Sequence, residues 1–503
     1  MRFSAILLIV GGLTTATTAS AMDGQLSIYG SIQPFVDNFK TSGATPEGLS
    51  PETGGATQVT MDDYSGDNLP ARFRMTSGTS HIGFRGELEL SEDFAAFIQI
   101  ESQVGPDGDP YILASAWASR NSAAGLKGTY GTLFFGNWDT PYKYPLLFVG
   151  ALRGLNPFDN VITANPGFNV PGTTTQNGRG SSRHDAAFNR RQGNSVQYWS
   201  PKFYGLSLRG ALSLNEGRTR EEFDPSINPI LWSVLLSYDW GPLGVRYAYE
   251  QHLDYFGMDW VGGSPGGSFT NPTSKDDGHE IVAWYTFPTK TRLAAVLERL
   301  TYRTDDEVVG AVDGYQRDAV LGALQQRIGD HAIWGSFGVA GEGTCTVVGG
   351  GECTTNGLNG QQFSVGYTYS PAKTVDLYAS YYQMSNGRSG SYALFPPVAP
   401  VAPGSTTRAF GIGMQYLFDF TTSLPDNGYG DEPPAPTPEE ADVSRPEPAA
   451  GPQEAEPEAS EFQEAEPPPE EAEPEEVQEE PASAEDTAPD EAEELPTDAP
   501  APQ

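Results

Sequence analysis

Between residues 24 and 420, large apolar side chains return at every second position, run after run. In 410–420, Phe410, Ile412, Met414, Tyr416, Phe418 and Phe420 alternate with Gly411, Gly413, Gln415, Leu417 and Asp419. In 230–240, Trp232, Val234, Leu236, Tyr238 and Trp240 oppose Ser233, Ser237 and Asp239. In 243–254, Val245, Tyr247 and Tyr249 oppose Arg246 and Glu250. A period of two belongs to an extended strand, whose successive side chains point to opposite faces. Sixteen such segments are readable: 24–36, 72–91, 93–104, 111–127, 130–138, 193–201, 204–214, 230–240, 243–254, 278–287, 291–303, 316–327, 331–342, 360–370, 373–385 and 406–420.

The links between them sort into two kinds. After each even-numbered segment the link is tight and rich in Gly, Pro, Asp or Ser: SED, KGTYG, SPKFYG, WGPLG, FPTKT, RIGDH and SPAKT. After the odd-numbered segments the links run longer and polar, the largest being 37–71, 139–192, 255–277 and 386–405. Short links on one side and long ones on the other are the mark of an up-and-down barrel with two unlike ends. A soluble sandwich also alternates, but its apolar face is internal. The expected fold is therefore all-β, a transmembrane antiparallel up-and-down barrel of sixteen strands. Closure is needed, because an open edge in hydrocarbon leaves backbone groups unpaired. Sixteen strands enclose more space than side chains fill, so the interior is expected to be aqueous.

Composition adds an address. Met1-Arg2, the apolar run Ala5–Leu13 and the small residues Ala19-Ser20-Ala21 form a secretory signal pattern over 1–21, too short to span a bilayer. In an exported chain the two cysteines, Cys345 and Cys353, read as a disulfide closing a Gly-rich loop; a metal site would need further ligands nearby. The net charge of −37 is unevenly spread: residues 421–503 hold 27 acidic residues and one basic residue, Arg445. No basic stripe is present for nucleic acid, and no cofactor motif occurs.

Three stretches are more specific than the periodicity: SHIGFRGELEL at 80–90, GLKGTYGTLFFGNWDTP at 125–141 and FNRRQGNSVQYWSPKFYGL at 188–206. With GMQYLF at 413–418, they resemble the Gram-negative general porin family, in the family's order, over about residues 22–420. The resemblance implies a homotrimer in the outer membrane, among lipid and lipopolysaccharide, that passes small hydrophilic solutes and ions by diffusion. It also implies that the third long loop, here 139–192, folds into the lumen. A solvated surface loop is the plainer alternative. The loop carries Asp139, Asp159 and Asp185 against Lys143, Arg153, Arg179, Arg183, Arg190 and Arg191. On the facing wall the family's basic ladder falls on His81, Arg120 and Asn137, with a further basic position at Arg85. Arg85 and Arg209 sit out of phase with apolar neighbours, so both are expected inside, as are Arg246 and Arg317. An arginine at the lipid midplane costs roughly 2–4 kcal/mol. Pairing with Glu87, Glu89 or Glu101 is the alternative role for these arginines. The balance of loop charges points to a mild anion preference.

Other classes are weaker. Of the five histidines, His184-Asp185 is the best acid–base pair, and no nucleophile motif accompanies it, so a hydrolase is disfavoured. A solute-specific channel and an adhesin remain alternatives. The barrel pattern ends in Phe418 and Phe420, resembling the terminal aromatic that barrel assembly machinery reads in this family, yet 421–503 follows. That segment holds 18 of the 41 prolines and few large apolar residues, so it is expected to be a disordered, periplasmic extension. A tether to the cell wall or to a basic periplasmic partner, an inert extension and a plug are the readings open to it.

Overall fold

The computed structural model describes residues 24–46, 57–58, 68–108, 117–149, 160–163, 188–213, 228–255, 273–305, 309, 312–390, 392 and 401–424. Among these, sixteen antiparallel strands close into one barrel. Strand β1 is Gly24–Ile32 resuming as Phe35–Ser42, and β2 is Arg72–Thr76 resuming as His81–Ser91. The break in β1 falls at Gln33-Pro34, where proline has no N–H to give a ladder. Strands β3 to β9 are Phe94–Gln103, Ser122–Gly128, Gly131–Asp139, Arg191–Trp199, Leu206–Ser213, Ile230–Trp240 and Leu243–Leu253. Strands β10 to β16 are Ser274–Thr286, Thr291–Thr304, Val312–Ile328, His331–Ala340, Gly360–Ala372, Val375–Asn386 and Thr406–Leu424.

Each strand pairs with its sequence neighbours, and β16 pairs with β1 from Leu424↔Gly24 to Tyr416↔Ile32. That last ladder closes the cylinder. The rim that carries the tight links, such as Gly241-Pro242 and Gly329-Asp330, is called the turn rim below; the other is the loop rim.

The sequence pattern places fourteen of the strands to within about four residues; the first runs on to Ser42, six residues past its expected end at 36. The fourth departs most: residues 111–116 of the expected run 111–127 lie outside the described residues, and of the rest the strand covers Ser122–Gly128. Trp117–Asn121 is turn and bend, with Ala118 at φ +62°, which no extended strand accommodates. The last strand runs past 420, because Thr421 to Leu424 still find partners in Ser27 to Gly24.

The two faces differ as a membrane barrel requires. Outside, Leu297, Ile333, Phe337, Phe410 and Ile412 are each about half exposed, part of a continuous apolar belt. Inside, Ser233, Glu250, Gln362 and Ser364 are fully enclosed by other protein groups. The inner face is not uniformly polar, however. Leu231, Leu235, Ala248 and Leu300 face inward and are also completely buried. They lie under Tyr142 and Phe188, which belong to the long link between β5 and β6.

Candidate functional site

The described parts of that link, 140–149, 160–163 and 188–190, pack against the inner wall. Asp139 ends β5, and Thr140 N donates to Arg190 O at 3.1 Å, closing the neck of the loop. Tyr142 N donates to Ser233 Oγ at 3.0 Å and its hydroxyl to Glu298 Oε1 at 3.1 Å. A short 3-10 turn, Tyr144–Phe148, follows. Val161 and Ile162 are fully buried in an inner cluster with Val282, Val296, Leu321 and Trp334. Phe188 stacks on His252 with centroids 4.4 Å apart. The described parts of the third long loop therefore fold into the barrel on the side of β8 to β13.

The opposite wall carries a continuous polar network. Arg120 Nε donates to Glu101 Oε1 at 2.6 Å, and Tyr29 donates to the other oxygen at 3.1 Å. His81 Nε2 lies 3.9 Å from Glu101 and its Nδ1 is 2.8 Å from Thr79 O. Arg85 lies over the Tyr29 ring at 4.6 Å and donates to Gln99. Asn137 Nδ2 donates to the backbone oxygens of Ala118 and Arg120. Asn121 is the hub: its amide donates to Asp139 at 2.9 Å, while its oxygen accepts from Arg191 Nε at 2.8 Å. Lys143 reaches Asp139 at 2.8 Å, and its side chain stays partly exposed.

His81, Arg85, Arg120, Asn137, Asp139 and Arg191 thus come together on β2 to β6. Glu101 is the partner of Arg120; Glu87 instead pairs with Lys127. Arg209 and Arg246 lie apart from this network, inside the barrel and nearer the turn rim. Arg209 is clamped between Tyr144, at 3.6 Å, and Trp199, at 3.9 Å. Arg246 donates to Asp239 at 2.7 Å and lies over Trp284. Asp159 and Asp185 lie outside the described residues, as does the chain from 425 onward.

Of a third group, the sequence pattern points only to Arg317, which faces inward but is sealed beneath the loop instead of open to the lumen. Glu250, Glu280 and Glu298 sit on neighbouring strands beneath the loop, all at most 3 % exposed. Arg317 bonds Glu298, the Tyr392 hydroxyl at 2.8 Å and Val161 O at 3.1 Å. His252 Nε2 meets Glu250 at 3.0 Å. Burial and these carboxylates push the Tyr142 hydroxyl far above the usual phenol value, so it stays a donor. The available signal is a lone acid at an inward phase within its strand, as in AYEQH and AVLER. Only the loop's position shows that such acids are shielded from water.

At the loop rim, Cys345 and Cys353 are bonded, Cα–Cα 6.0 Å. The loop they close extends the β12 ladder through Thr344–Val347, and Cys353-Thr354 pairs with Thr57-Gln58. Phe418 and Phe420 lie in the closing ladder, opposite Gly30 and Ile28.

Comparison with known proteins agrees with this architecture. The family model described as Gram-negative porin matches residues 5–389. Major outer membrane protein P.IA of Neisseria meningitidis serogroup A is 27% identical over 209 residues, 41% of this chain and 45% of that protein. Major outer membrane protein P.IB of Neisseria gonorrhoeae is 25% identical over 231 residues, covering 45% and 53%. The chain spans about half the length of these curated relatives. Among solved structures, an anion-selective porin from Comamonas acidovorans superposes with TM-score 0.58 at 17% identity, over 78% of this chain and all of that one. The chain belongs to the Gram-negative porin family, a family of the outer membrane.

Proposed function

We propose that this chain forms a water-filled channel for passive diffusion of small hydrophilic solutes and ions, with a mild preference for anions. One observation carries the reading: a closed sixteen-stranded cylinder, apolar outside, has a polar network on one inner wall and an inward-folded loop on the other. Solutes pass between them. The wall network and the loop neck offer Arg85, Arg120, Arg191 and Lys143 against Glu101 and Asp139, an excess of positive charge where an ion would pass. The structural relative named for anion selectivity is consistent with that sign. Among the described histidines, His279 and His331 stack on the outward Tyr247 and Tyr369.

His81 and Asn137 stand where the resemblance leads one to expect arginine, and this supports a narrower, solute-specific channel as the second reading. Asp159 and Asp185 complete the proposed loop charges. In the same reading the chain assembles as a homotrimer among lipid and lipopolysaccharide, and Phe418 and Phe420 are read by the assembly machinery. The acidic extension lies in the periplasm, where it meets the cell wall or a basic partner.

Detergent-purified protein in planar lipid films tests the channel. Stepwise conductance is expected, with a reversal potential of anion sign across a KCl gradient. Electrically silent films overturn the reading, and cation sign overturns the selectivity. Flux of a solute series separates a general channel from a specific one.

A further inference from the structure

On the outer face near the loop rim, four neighbouring strands set a polar row above apolar ones. Register fixes the rows. Lys40 of β1 lies directly opposite Arg408 of β16, and Arg408 lies opposite Gln383 of β15. Both cations are exposed, while Phe39 and Ala409 beside them are buried and face inward. In the next row toward the turn rim, Phe73 of β2 opposes Asn38, Asn38 opposes Phe410, and Phe410 opposes Tyr381. The row after that joins Met75, Val36 and Ile412. Phe73, Met75, Phe410 and Ile412 are each more than half exposed. The aromatic row is the girdle by which a barrel marks the edge of the hydrocarbon. Lys40 and Arg408 therefore stand at headgroup height, on the side of the long loops, which in such barrels is the external side.

Like charges directly opposite each other on a sheet repel. The chain supplies nothing here to offset them. Arg408 Nε donates to Gln383 Oε1 at 3.1 Å, and its Nη1 reaches Ser42 Oγ at 3.5 Å; both partners are neutral. Among the described residues, no carboxylate forms an ion pair with Lys40 or Arg408. The outer face of β10 to β12 is built differently. There Lys275 and Arg303 approach Asp277 at 3.9 and 3.5 Å, and Arg299 meets Asp318 at 2.6 Å. A guanidinium steadied by neutral groups, with an ammonium opposite it, suits a phosphate.

We propose that Lys40 and Arg408 bind a phosphate of lipopolysaccharide, whose acyl chains lie over Phe73, Met75, Phe410 and Ile412. The inference rests on the reading that the chain sits among lipopolysaccharide, and it names the place of contact. The missing counter-charge of this face is then the lipid's own.

Purified protein refolded in detergent without lipopolysaccharide, titrated with bisphosphorylated lipid A and followed by native mass spectrometry, tests it. In Lys40→Gln/Arg408→Gln, the half-saturating concentration is expected to rise about tenfold, the loss of charge-assisted contacts. Lys40→Arg/Arg408→Lys keeps both charges and is expected to retain most of the binding. Lys275→Gln/Arg303→Gln, on the other sector, is expected to stay within about twofold of wild type. Dephosphorylated lipid A is expected to bind wild type as weakly as lipid A binds the glutamine pair. Equal retention of lipid A by wild type and both glutamine pairs overturns this site alone; no retention by wild type overturns the lipopolysaccharide setting with it. Phosphatidylglycerol retained as well as lipid A, and lost in the same variants, overturns the choice of lipid. Subunit association lost in the Lys40/Arg408 glutamine pair, with lipid A retention unchanged, assigns the face to a second copy and overturns the proposal. Conductance is read on the same preparations: silent films with lipid A retained as expected overturn the channel and leave this site standing.

Discussion

The two inner walls treat charge in opposite ways. On β2 to β6, Arg120 and Glu101 keep side-chain exposures of 17% and 8%, and Lys143 at the loop neck keeps 30%. On β9 to β12, Glu298 and Arg317 keep none. The first wall is a partly neutralised field at the edge of the passage. The second is a sealed joint in which Glu298, Arg317 and loop atoms bond one another, beside the buried carboxyls of Glu250 and Glu280. Formal charge along the chain is therefore a poor guide to the sign a permeating ion meets. An acid under the loop counts in the composition and is hidden from the lumen, whereas Arg85 and Lys143 are not.

The most severe way to break the comparison is to unbalance the sealed joint. Arg317→Leu leaves Glu298 facing Glu280 and Glu250 without its cation, and a cost of about 3–5 kcal/mol is expected. The heat needed to unfold the barrel in detergent, followed as a shift in gel mobility, is expected to drop sharply. Unchanged resistance would show that the joint is not a unit.

A smaller effect distinguishes the walls by what ions feel. Arg85→Gln with Arg120→Gln is expected to move the KCl reversal potential toward cations, while Glu280→Gln leaves it in place. Equal shifts would mean that the acids are not hidden after all. Smaller again is a change of bore without a change of charge. Gly244→Ala forces the Trp284 indole off the wall and is expected to lower single-channel conductance. Gly210→Ala, where nothing lies within 4 Å, should not. The least effect belongs to the partly exposed pair Lys127–Glu87. Lys127→Ala is expected to change stability by no more than about 0.5 kcal/mol, measured by the same mobility shift.

Much of this architecture is written in local pattern. Alternation at Trp232 to Trp240 or Phe410 to Phe420 can be satisfied in one way only once lipid is on one side, so strand number and order follow. The inward phase of Arg85, Arg209 and Arg246 follows from the same rule. What local pattern does not carry is who stands opposite. Leu231 and Leu235 share an inward phase with Ser233 and Ser237, and nothing nearby says that Tyr142 and Phe188 cover them. Glu250, Glu280 and Glu298 are scattered over about fifty residues and meet only through register. The false start of the fourth strand has the same origin: the run to 121 alternates, but the backbone turns at Ala118.

The hydrogen bond between Ser27 and Thr421 joins residues 394 positions apart. No shorter-range contact can take its place, since the first strand's free edge is met by the last nineteen-residue strand alone. Closure therefore waits on a contact of very long range, of the kind that topology makes slow to form. A chain lacking the first or the last of the sixteen strands lacks the seam, and its open edges leave backbone groups unpaired in hydrocarbon.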